Sequence, residues 1–254
     1  MSARTFGTGT VAATRTAMVV VLVALWQWGA STGRIDSFFF GMPSEIWSAL
    51  VEWTLDGSLF INTAATLSEA ASGFLIALVV AVPVGIWLAR SAFWGRVFHP
   101  FIDMANATPR FALAPLFVLF FGLGATPKIV LVFSVVFFVM LINTIAGASS
   151  VDDNHLRFAQ LVGVNRRQML TKVILPATTN WLIAGMRISA PYSIAAAVVG
   201  EMISSTKGLG YLIVKNAGLL ETSKVLAAVL FLAVAGWALN IGLTWLFRRL
   251  PWVA

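Results

Sequence analysis

Three charged residues, Glu69, Arg187 and Glu201, lie inside strongly apolar stretches of this sequence. Ionisable groups are costly in hydrocarbon, so a charged residue within a membrane span is by default a candidate for function. We expect Glu69 to line a pathway or to extend to the outer surface, and Glu201 to hold a gate or an interface. Arg187 is expected to extend towards the cytoplasmic surface or to bond a neighbouring helix.

A second polar group surrounds Pro191 in the same apolar stretch as Arg187 and Glu201. A proline in a helix leaves backbone carbonyls without their usual donors, and broken helices within a membrane are tolerated where they face a cavity or protein. We therefore expect Ser189, Tyr192 and Ser193 to line a cavity.

Several kinds of chemistry are excluded or disfavoured by the residues present. The chain has no cysteine, and its two histidines, His99 and His155, stand 56 positions apart without a nearby acidic cluster of metal-ligand spacing. We therefore expect no metal site and no catalytic residue, which disfavours a membrane-embedded enzyme. The GxG of 208–210 is a weak phosphate signal, and no GxxxxGK[ST] loop is present, so we do not expect the chain to bind and hydrolyse ATP by itself in the P-loop manner.

The composition indicates an all-α integral membrane protein. Hydrophobic residues make up 59% of the chain, charged residues 11%, and the mean hydropathy is +0.89. The net charge of +7 is spread between apolar segments, so it indicates membrane topology and no nucleic-acid partner. Without an internal repeat, an ion-driven secondary transporter is not favoured. Six spans of a single domain are predicted, at about 17–33, 64–89, 108–124, 129–148, 181–203 and 225–247.

The distribution of Lys and Arg predicts the orientation of these spans. With both termini in the cytoplasm, eleven cationic residues lie on that side, including Arg4, Arg15 and Arg249, against five on the outer side, which include Lys128. The segment 34–63 then faces outwards. No convincing cleavage site follows the first apolar run, so we expect the first helix to be retained.

The connection between the fourth and fifth spans, at about 150–180, carries an unusually basic insert, "LVGVNRRQMLTKVILPATTNW". Gly163 predicts a turn, and Asn165 with Gln168 predicts a capping box for a short helix. Pro176 is expected to end that helix. The helix should carry an apolar stripe formed by Met169, Leu170, Val173 and Ile174. From these residues alone, the helix could lie on anionic lipid or dock onto a cytoplasmic partner.

This insert resembles the EAA motif of ABC importer permeases, which reads Glu-Ala-Ala, three residues, Gly, nine residues, Ile-x-Leu-Pro. Ala159, Gly163, Leu175 and Pro176 match, and Val173 replaces the isoleucine. Arg157 and Phe158 stand where the motif has Glu and Ala, so an ion pair made by that Glu is not expected here.

The resemblance extends from about Thr63 to Asn240, through "TLSEAASGFLIALVVAVPVGI", "TPRFALAPLFVLFFGLGATPKI" and "GEMISSTKGLGYLI". These segments are similar to the nitrate, sulfonate and taurine branch of the permeases. The resemblance implies a type I ABC importer (MetI-like) fold with a cytoplasmic coupling helix, in the bacterial inner membrane. It further implies a homodimer served by two ATPase subunits, which hold ATP and Mg, and by a periplasmic binding protein.

The same resemblance assigns residues to coupling with the ATPase, and leaves the substrate open. The residues expected to contact or present the coupling helix are Arg157, Ala159, Gly163, Val164, Asn165, Met169, Leu170, Leu175 and Pro176. The solute is expected to be a small anion such as a sulfonate, nitrate or taurine. A vitamin precursor of the pyrimidine or flavin type, or an aromatic acid, is the alternative.

Overall fold

A computed structural model describes residues 8–248, and these residues are almost entirely helical. The terminal residues 1–7 and 249–254, which include Arg4 and Arg249 of the charge count, lie outside the described residues. The helices are α1 (Thr8–Ser31), α2 (Ser37–Phe40), α3 (Pro43–Leu55), α4 (Ser58–Arg90), α5 (Ala92–Ala107), α6 (Ala114–Phe121), α7 (Thr126–Ser149), α8 (Asp153–Leu161), α9 (Arg166–Gln168), α10 (Leu175–Ser204), α11 (Leu209–Gly218) and α12 (Thr222–Arg248).

Among residues 8–248, five helical segments are long and apolar enough to cross a membrane: Gly9–Ser31, Ser58–Arg90, Thr126–Ser149, Arg166–Ser204 and Thr222–Gly242. They coincide with five of the six predicted spans. The third predicted span, 108–124, is matched only by the helical segment Arg110–Phe121, which is too short to cross a membrane by itself and meets α5 at a bend of 80°. Pro109 lies at that break, where a proline cannot continue the helix. The sixth span exists only if this bent pair is one span.

Within the described range, the chain divides into two compact units. The first unit comprises residues 8–60 and 212–231, and the second comprises residues 61–211 and 232–248. In the first unit, α3 buries Ile46, Ala49 and Trp53. Gly41, with a φ of +65°, makes the turn into α3, where a side chain would meet Leu226 and Ser223.

The core of the second unit is built on α7. Leu131, Val132, Val136 and Met140 are completely buried there, in a cluster that also receives residues of α4, α6 and α10. Gly73 and Gly85 of α4 lie against Val132 and Thr144 of α7, at positions where a Cβ atom would collide. Small residues at such contacts let two helix backbones approach closely, so α4 and α7 form a tight pair.

Candidate functional site

A polar stripe on α4 points into the second unit. Asn62, Thr66 and Glu69 are spaced i, i+4 and i+7, which places them on one face of the helix, and all three side chains are buried. Buried polar groups need partners, because an unpaired one costs about 1–3 kcal/mol. The partners come from Lys128 of α7, from Glu201 of α10, and from the backbone at the start of α11. We call Asn62, Thr66, Glu69, Lys128 and Glu201 the buried polar cluster.

The cluster fastens the start of α11. The first N–H groups of a helix have no partner within the helix. Here three successive backbone N–H groups donate to side chains: Gly208 to Asn62 Oδ1 at 2.6 Å, Leu209 to Thr66 Oγ1 at 2.9 Å, and Gly210 to Glu201 Oε2 at 2.8 Å. The Thr66 hydroxyl in turn donates to Glu201 Oε1 at 2.7 Å. A carboxylate at a helix N-terminus is also favoured by the helix dipole.

Gly208 is required by this arrangement. Its φ of +120° is a conformation that residues with a side chain rarely adopt, and a Cβ atom there would overlap the Glu201 carboxylate. The glycine in the "GLG" sequence therefore allows the backbone to approach Glu201 closely enough for the Gly210 hydrogen bond. In this chain the two glycines of the GxG thus place backbone N–H groups where the side chains of Asn62 and Glu201 accept their hydrogen bonds.

An ion pair completes the buried polar cluster. The Lys128 ammonium lies 2.5 Å from Glu69 Oε1, and the two side chains are only 3% and 4% exposed. Lys128 Nζ also donates to Ser205 Oγ at 3.1 Å. Both groups of the pair lie within electrostatic range of Glu201. A cavity of about 670 Å³ opens beside the pair, and Ser204, Ser205, Thr206 and Lys207 contribute to its wall.

The three residues predicted to line a cavity around Pro191 have different surroundings in this structure. Ser189 is fully buried and donates to its own helix at Gly185 O, at 2.7 Å, while Tyr192 is exposed. Ser193 donates to Ala190 O at 2.7 Å and borders an almost wholly apolar cavity of about 230 Å³. The expected break is absent, since α10 continues through Pro191. Arg187 is half-buried near the middle of the continuous helix Arg166–Ser204.

Three members of the cluster were missed by the sequence reasoning: Asn62, Thr66 and Lys128. The i, i+4, i+7 spacing of Asn62, Thr66 and Glu69 was a visible signal for a polar face on an otherwise apolar helix. Lys128 was counted among the outer cations, although it lies directly before the apolar run of α7. Its pairing with Glu69 joins residues 59 positions apart, which no local pattern reveals.

A second site forms around the predicted coupling loop. Gly163 has a φ of +85°, which confirms the predicted turn after α8. The capping box is also present: Gln168 N–H donates to Asn165 Oδ1 at 2.9 Å, and Asn165 N–H donates to Gln168 Oε1 at 3.1 Å. Both local predictions for this loop are therefore confirmed.

The predicted stop at Pro176 is wrong. The chain passes from α9 through a π-helical segment, Met169–Ile174, directly into α10, so that Arg166–Ser204 is one helical run of 39 residues. Pro176 lies in the first turn of α10. A proline lacks an N–H and its ring clashes with the carbonyl four residues earlier. The wider π turn before Pro176 is a local adjustment that lets the helix continue past it.

The apolar stripe of this loop faces its own chain. Met169 and Ile174 are 9% and 6% exposed, and they pack with Leu156 and Ala148 against residues that include Ala159, Val164 and Val173. The exposed apolar residues are instead Phe158 at 67%, Leu161 at 85% and Val162 at 63%. We call these three residues the apolar tip. On α8 Phe158 and Leu161 lie on the side away from buried Leu156, with exposed Arg157 beside them.

Residues 81–251 match the family model of the binding-protein-dependent transport system inner membrane component. The chain belongs to this family. It is the permease component of an ABC importer, a multi-pass protein of the inner membrane, and it is not itself catalytic. Transport that depends on a binding protein implies an ATPase and a binding protein as partners.

Named relatives and a solved structure agree with this assignment. The taurine transport system permease protein TauC of Escherichia coli (strain K12) is 31% identical, over 92% of this chain and 87% of the relative. The riboflavin transport system permease protein RibX of Chloroflexus aurantiacus is 32% identical, over 85% and 81%. Other relatives are named for aliphatic sulfonate, formylaminopyrimidine and nitrate transport.

The fold is that of the type I importers. A chain of the inward-facing MetNI methionine ABC transporter superposes with a TM-score of 0.55 at 17% identity, covering 75% of this permease and 96% of that chain. The predicted MetI-like permease fold is thereby confirmed, with five or six membrane spans.

Proposed function

We propose that this permease forms, as a homodimer, the translocation pathway for a small anion, and that α10 couples a cytoplasmic ATPase to a gate on the opposite side. The observation that carries this proposal is the uninterrupted helix Arg166–Ser204. It begins at the coupling loop and ends at Glu201 and the buried polar cluster. At 1.5 Å per residue the 30 α-helical residues of α10 alone extend about 45 Å, enough to cross the hydrocarbon core of a bilayer.

In the proposed orientation, both termini and the coupling loop are cytoplasmic, and the buried polar cluster lies at the outer end of the spans. Four cationic residues are exposed near the apolar tip: Arg157, Arg166, Arg167 and Lys172. An excess of Lys and Arg is typical of cytoplasmic loops and supports this orientation. Lys128, counted among the outer cations, is neutralised by Glu69.

The contact with the ATPase is assigned to the apolar tip. Met169 and Ile174 are already buried in this chain, so of the predicted stripe Leu170, at 38% exposure, is the member with the larger free surface. Four residues of the loop are partly buried and support its conformation: Ala159, Val164, Leu175 and Pro176. Gly163 and Asn165 form its turn and helix cap. The ATPase, which holds ATP and Mg, would receive Phe158, Leu161 and Val162 in a groove, with Arg157 at its rim.

Glu201 provides the test of the gate. Glutamine keeps one acceptor oxygen but presents an amide NH₂ to either Thr66 or Gly210, so one charge-assisted hydrogen bond is lost, worth about 1.5–3 kcal/mol. If the cluster holds the outer gate closed, Glu201→Gln should raise basal ATPase activity of the assembled transporter about tenfold or more and reduce its stimulation by the binding protein.

The matched control for this variant is Glu52→Gln, which removes an exposed carboxylate outside the cluster. It should leave basal and stimulated ATPase activities unchanged. Equal activities for wild type and Glu201→Gln would show that the carboxylate has no gating role. The ligand affinity of the isolated binding protein provides a second control, since neither variant should alter it.

Two observations support a small anion as the substrate: the names of several relatives, and the residues that line the cavity beside the Lys128–Glu69 ion pair. Lys207 and the hydroxyl-bearing residues Ser204 and Thr206 line that cavity, and such donors suit a sulfonate or nitrate oxygen, whereas the Ser205 hydroxyl already donates to Lys207 O. The relatives named for riboflavin and formylaminopyrimidine favour a vitamin precursor as a second candidate.

Uptake by proteoliposomes tests the function and separates the two candidates. The permease, its ATPase and its binding protein are reconstituted with ATP inside, and accumulation of taurine, alkanesulfonates, nitrate, riboflavin and formylaminopyrimidine is measured. We expect ATP- and binding-protein-dependent uptake of one of the small anions. Uptake of riboflavin or the pyrimidine alone would overturn the anion assignment, and no uptake of any solute would count against this solute range.

A further inference from the structure

Helix α3 presents three chemically different faces. Ile46, Ala49 and Trp53, spaced i, i+3 and i+7, are 5%, 3% and 6% exposed and pack within the first unit. A helix of a soluble protein normally turns its remaining surface to water and carries polar residues there. Only part of the remaining surface of α3 is polar.

The polar flank of α3 consists of Glu45, Ser48 and Glu52, and Asp56 continues it at the C-terminal end. All four residues are exposed. Glu45 Oε2 accepts a hydrogen bond from Ser223 Oγ at 2.6 Å, and Asp56 Oδ1 accepts one from Ser58 N–H at 2.8 Å. Hydrogen bonds from Ser58 hold the pKa of the Asp56 carboxyl below its ordinary value. This flank is therefore anionic and must remain in water.

The third face of α3 is apolar and exposed. Trp47, Val51 and Leu55 follow one another at i, i+4 and i+8, and they are 69%, 40% and 83% exposed. With about 100° between successive residues, this row is centred roughly 90° from the polar flank and nearly opposite the buried face. This division is expected of a helix that packs against protein with its buried face, contacts water with its polar flank, and contacts an apolar medium with its third face.

The first helix, α1, indicates what the apolar medium is. The candidate span Gly9–Ser31 has no buried residue in its most apolar window, so its large apolar side chains, such as Leu22, are exposed, as is expected of a span surrounded by lipid. The end of this span holds the start of α3, because Ser44 N–H donates to Gln27 Oε1 at 3.0 Å. Between them, the Arg34 guanidinium lies 4.4 Å from the centre of the Trp28 ring. Tryptophan and arginine together are typical of the membrane–water interface.

We propose that α3 is an in-plane interfacial helix, with Trp47, Val51 and Leu55 inserted among the lipids of the leaflet in which α1 ends. Its 13 residues extend about 20 Å, too short to cross about 30 Å of hydrocarbon but suited to lying in the interface. The proposal depends on α1 being a membrane span and is independent of the substrate and of the gate.

If α3 lies in the membrane interface, it restrains the connection between α11 and α12. Met42 N–H donates to Ser223 Oγ at 3.1 Å, and Thr222 Oγ1 donates to Phe38 O at 2.5 Å. The segment 219–224 is thus tied to the residues that lead into α3. An α3 fixed in the lipid surface would hold this connection at a constant height during transport.

The absence of cysteine from the chain allows a direct test. Single variants Trp47→Cys, Val51→Cys and Leu55→Cys, and the matched set Glu45→Cys, Ser48→Cys and Glu52→Cys, are labelled with a small environment-sensitive fluorophore. The assembled transporter is placed in nanodiscs, and quenching by acyl-brominated lipid is compared with quenching by aqueous iodide. We expect the first set to be quenched severalfold more by lipid than by iodide, and the second set to show the reverse.

Two further positions calibrate the measurement: Leu22→Cys as the lipid reference and Asp36→Cys as the aqueous reference. Protection of the first set from both quenchers would place protein on this face, and strong iodide quenching of both sets would place water there. Either result overturns the proposal. The side on which Asp36→Cys reacts with an impermeant maleimide, in sealed vesicles, tests the proposed orientation separately.

Discussion

Replacing Leu161 by aspartate is expected to remove the ATPase subunit from the purified transporter. Leu161 is 85% exposed and belongs to the apolar tip that we assign to the ATPase groove. An unpaired carboxylate buried in that contact costs about 3–5 kcal/mol, which corresponds to at least about a hundredfold loss of affinity. Co-purification through a tag on the permease measures the loss directly, together with the ATPase activity of the recovered complex.

The control for Leu161→Asp is Gln160→Glu, one residue earlier on α8. Gln160 is exposed but lies roughly 130° around the helix from the centre of Phe158 and Leu161, so a new charge there should leave the complex intact. Membrane insertion and the proposed homodimer of the permease should be normal in both variants. If Leu161→Asp retains a stoichiometric ATPase whose hydrolysis still responds to substrate, the apolar tip lies against lipid and the coupling assignment fails.

The stripe residue Met169 separates docking from folding in the same experiment. Met169 packs with Leu156, Ile174 and Ala148 inside the permease. Met169→Asp should therefore lower the thermal stability of the permease itself, whereas Leu161→Asp should not. The sequence alone could not make this distinction, because periodicity shows that four apolar residues share a face but not which surface covers that face.

Local features of the coupling loop were predictable because their causes are local. A glycine with positive φ and an Asn–Gln capping box depend on residues within four positions of each other. The continuation of the helix through Pro176 was not predictable in the same way. It depends on a π segment that begins seven residues earlier, and on the packing of Met169 and Ile174 that accompanies it.

The residues of the proposed gate show the same difference between features set by neighbouring residues and features set by distant ones. Glu69 and Glu201 were identified as candidates because a carboxylate in an apolar stretch is costly. Their partners come from other helices: Lys128 lies 59 positions from Glu69, and Thr66 lies 135 positions from Glu201. The sequence alone therefore identified the two carboxylates that are costly to bury, but not the partner residues that pair with them.

Replacing Lys128 by methionine is expected to destabilise the permease more than any single exposed substitution. The change leaves the Glu69 carboxylate, in a side chain that is 4% exposed, without its counter-ion. Breaking a buried ion pair from one side costs about 3–5 kcal/mol, because one charge remains buried and uncompensated. Thermal unfolding of the purified permease, followed by size-exclusion chromatography in detergent, should show a lower midpoint and a reduced folded fraction.

The double variant Lys128→Met/Glu69→Leu distinguishes charge burial from loss of side-chain packing. Replacing both members of a buried ion pair by apolar residues is often neutral or stabilising, so the double variant should recover most of the lost stability. Lys207→Met provides the control, because Lys207 borders the same cavity but is exposed and should change stability by less than about 1 kcal/mol. A Lys128→Met permease as stable as wild type, or a double variant less stable than Lys128→Met, would contradict the account of Glu69 as a carboxylate held in the protein by Lys128.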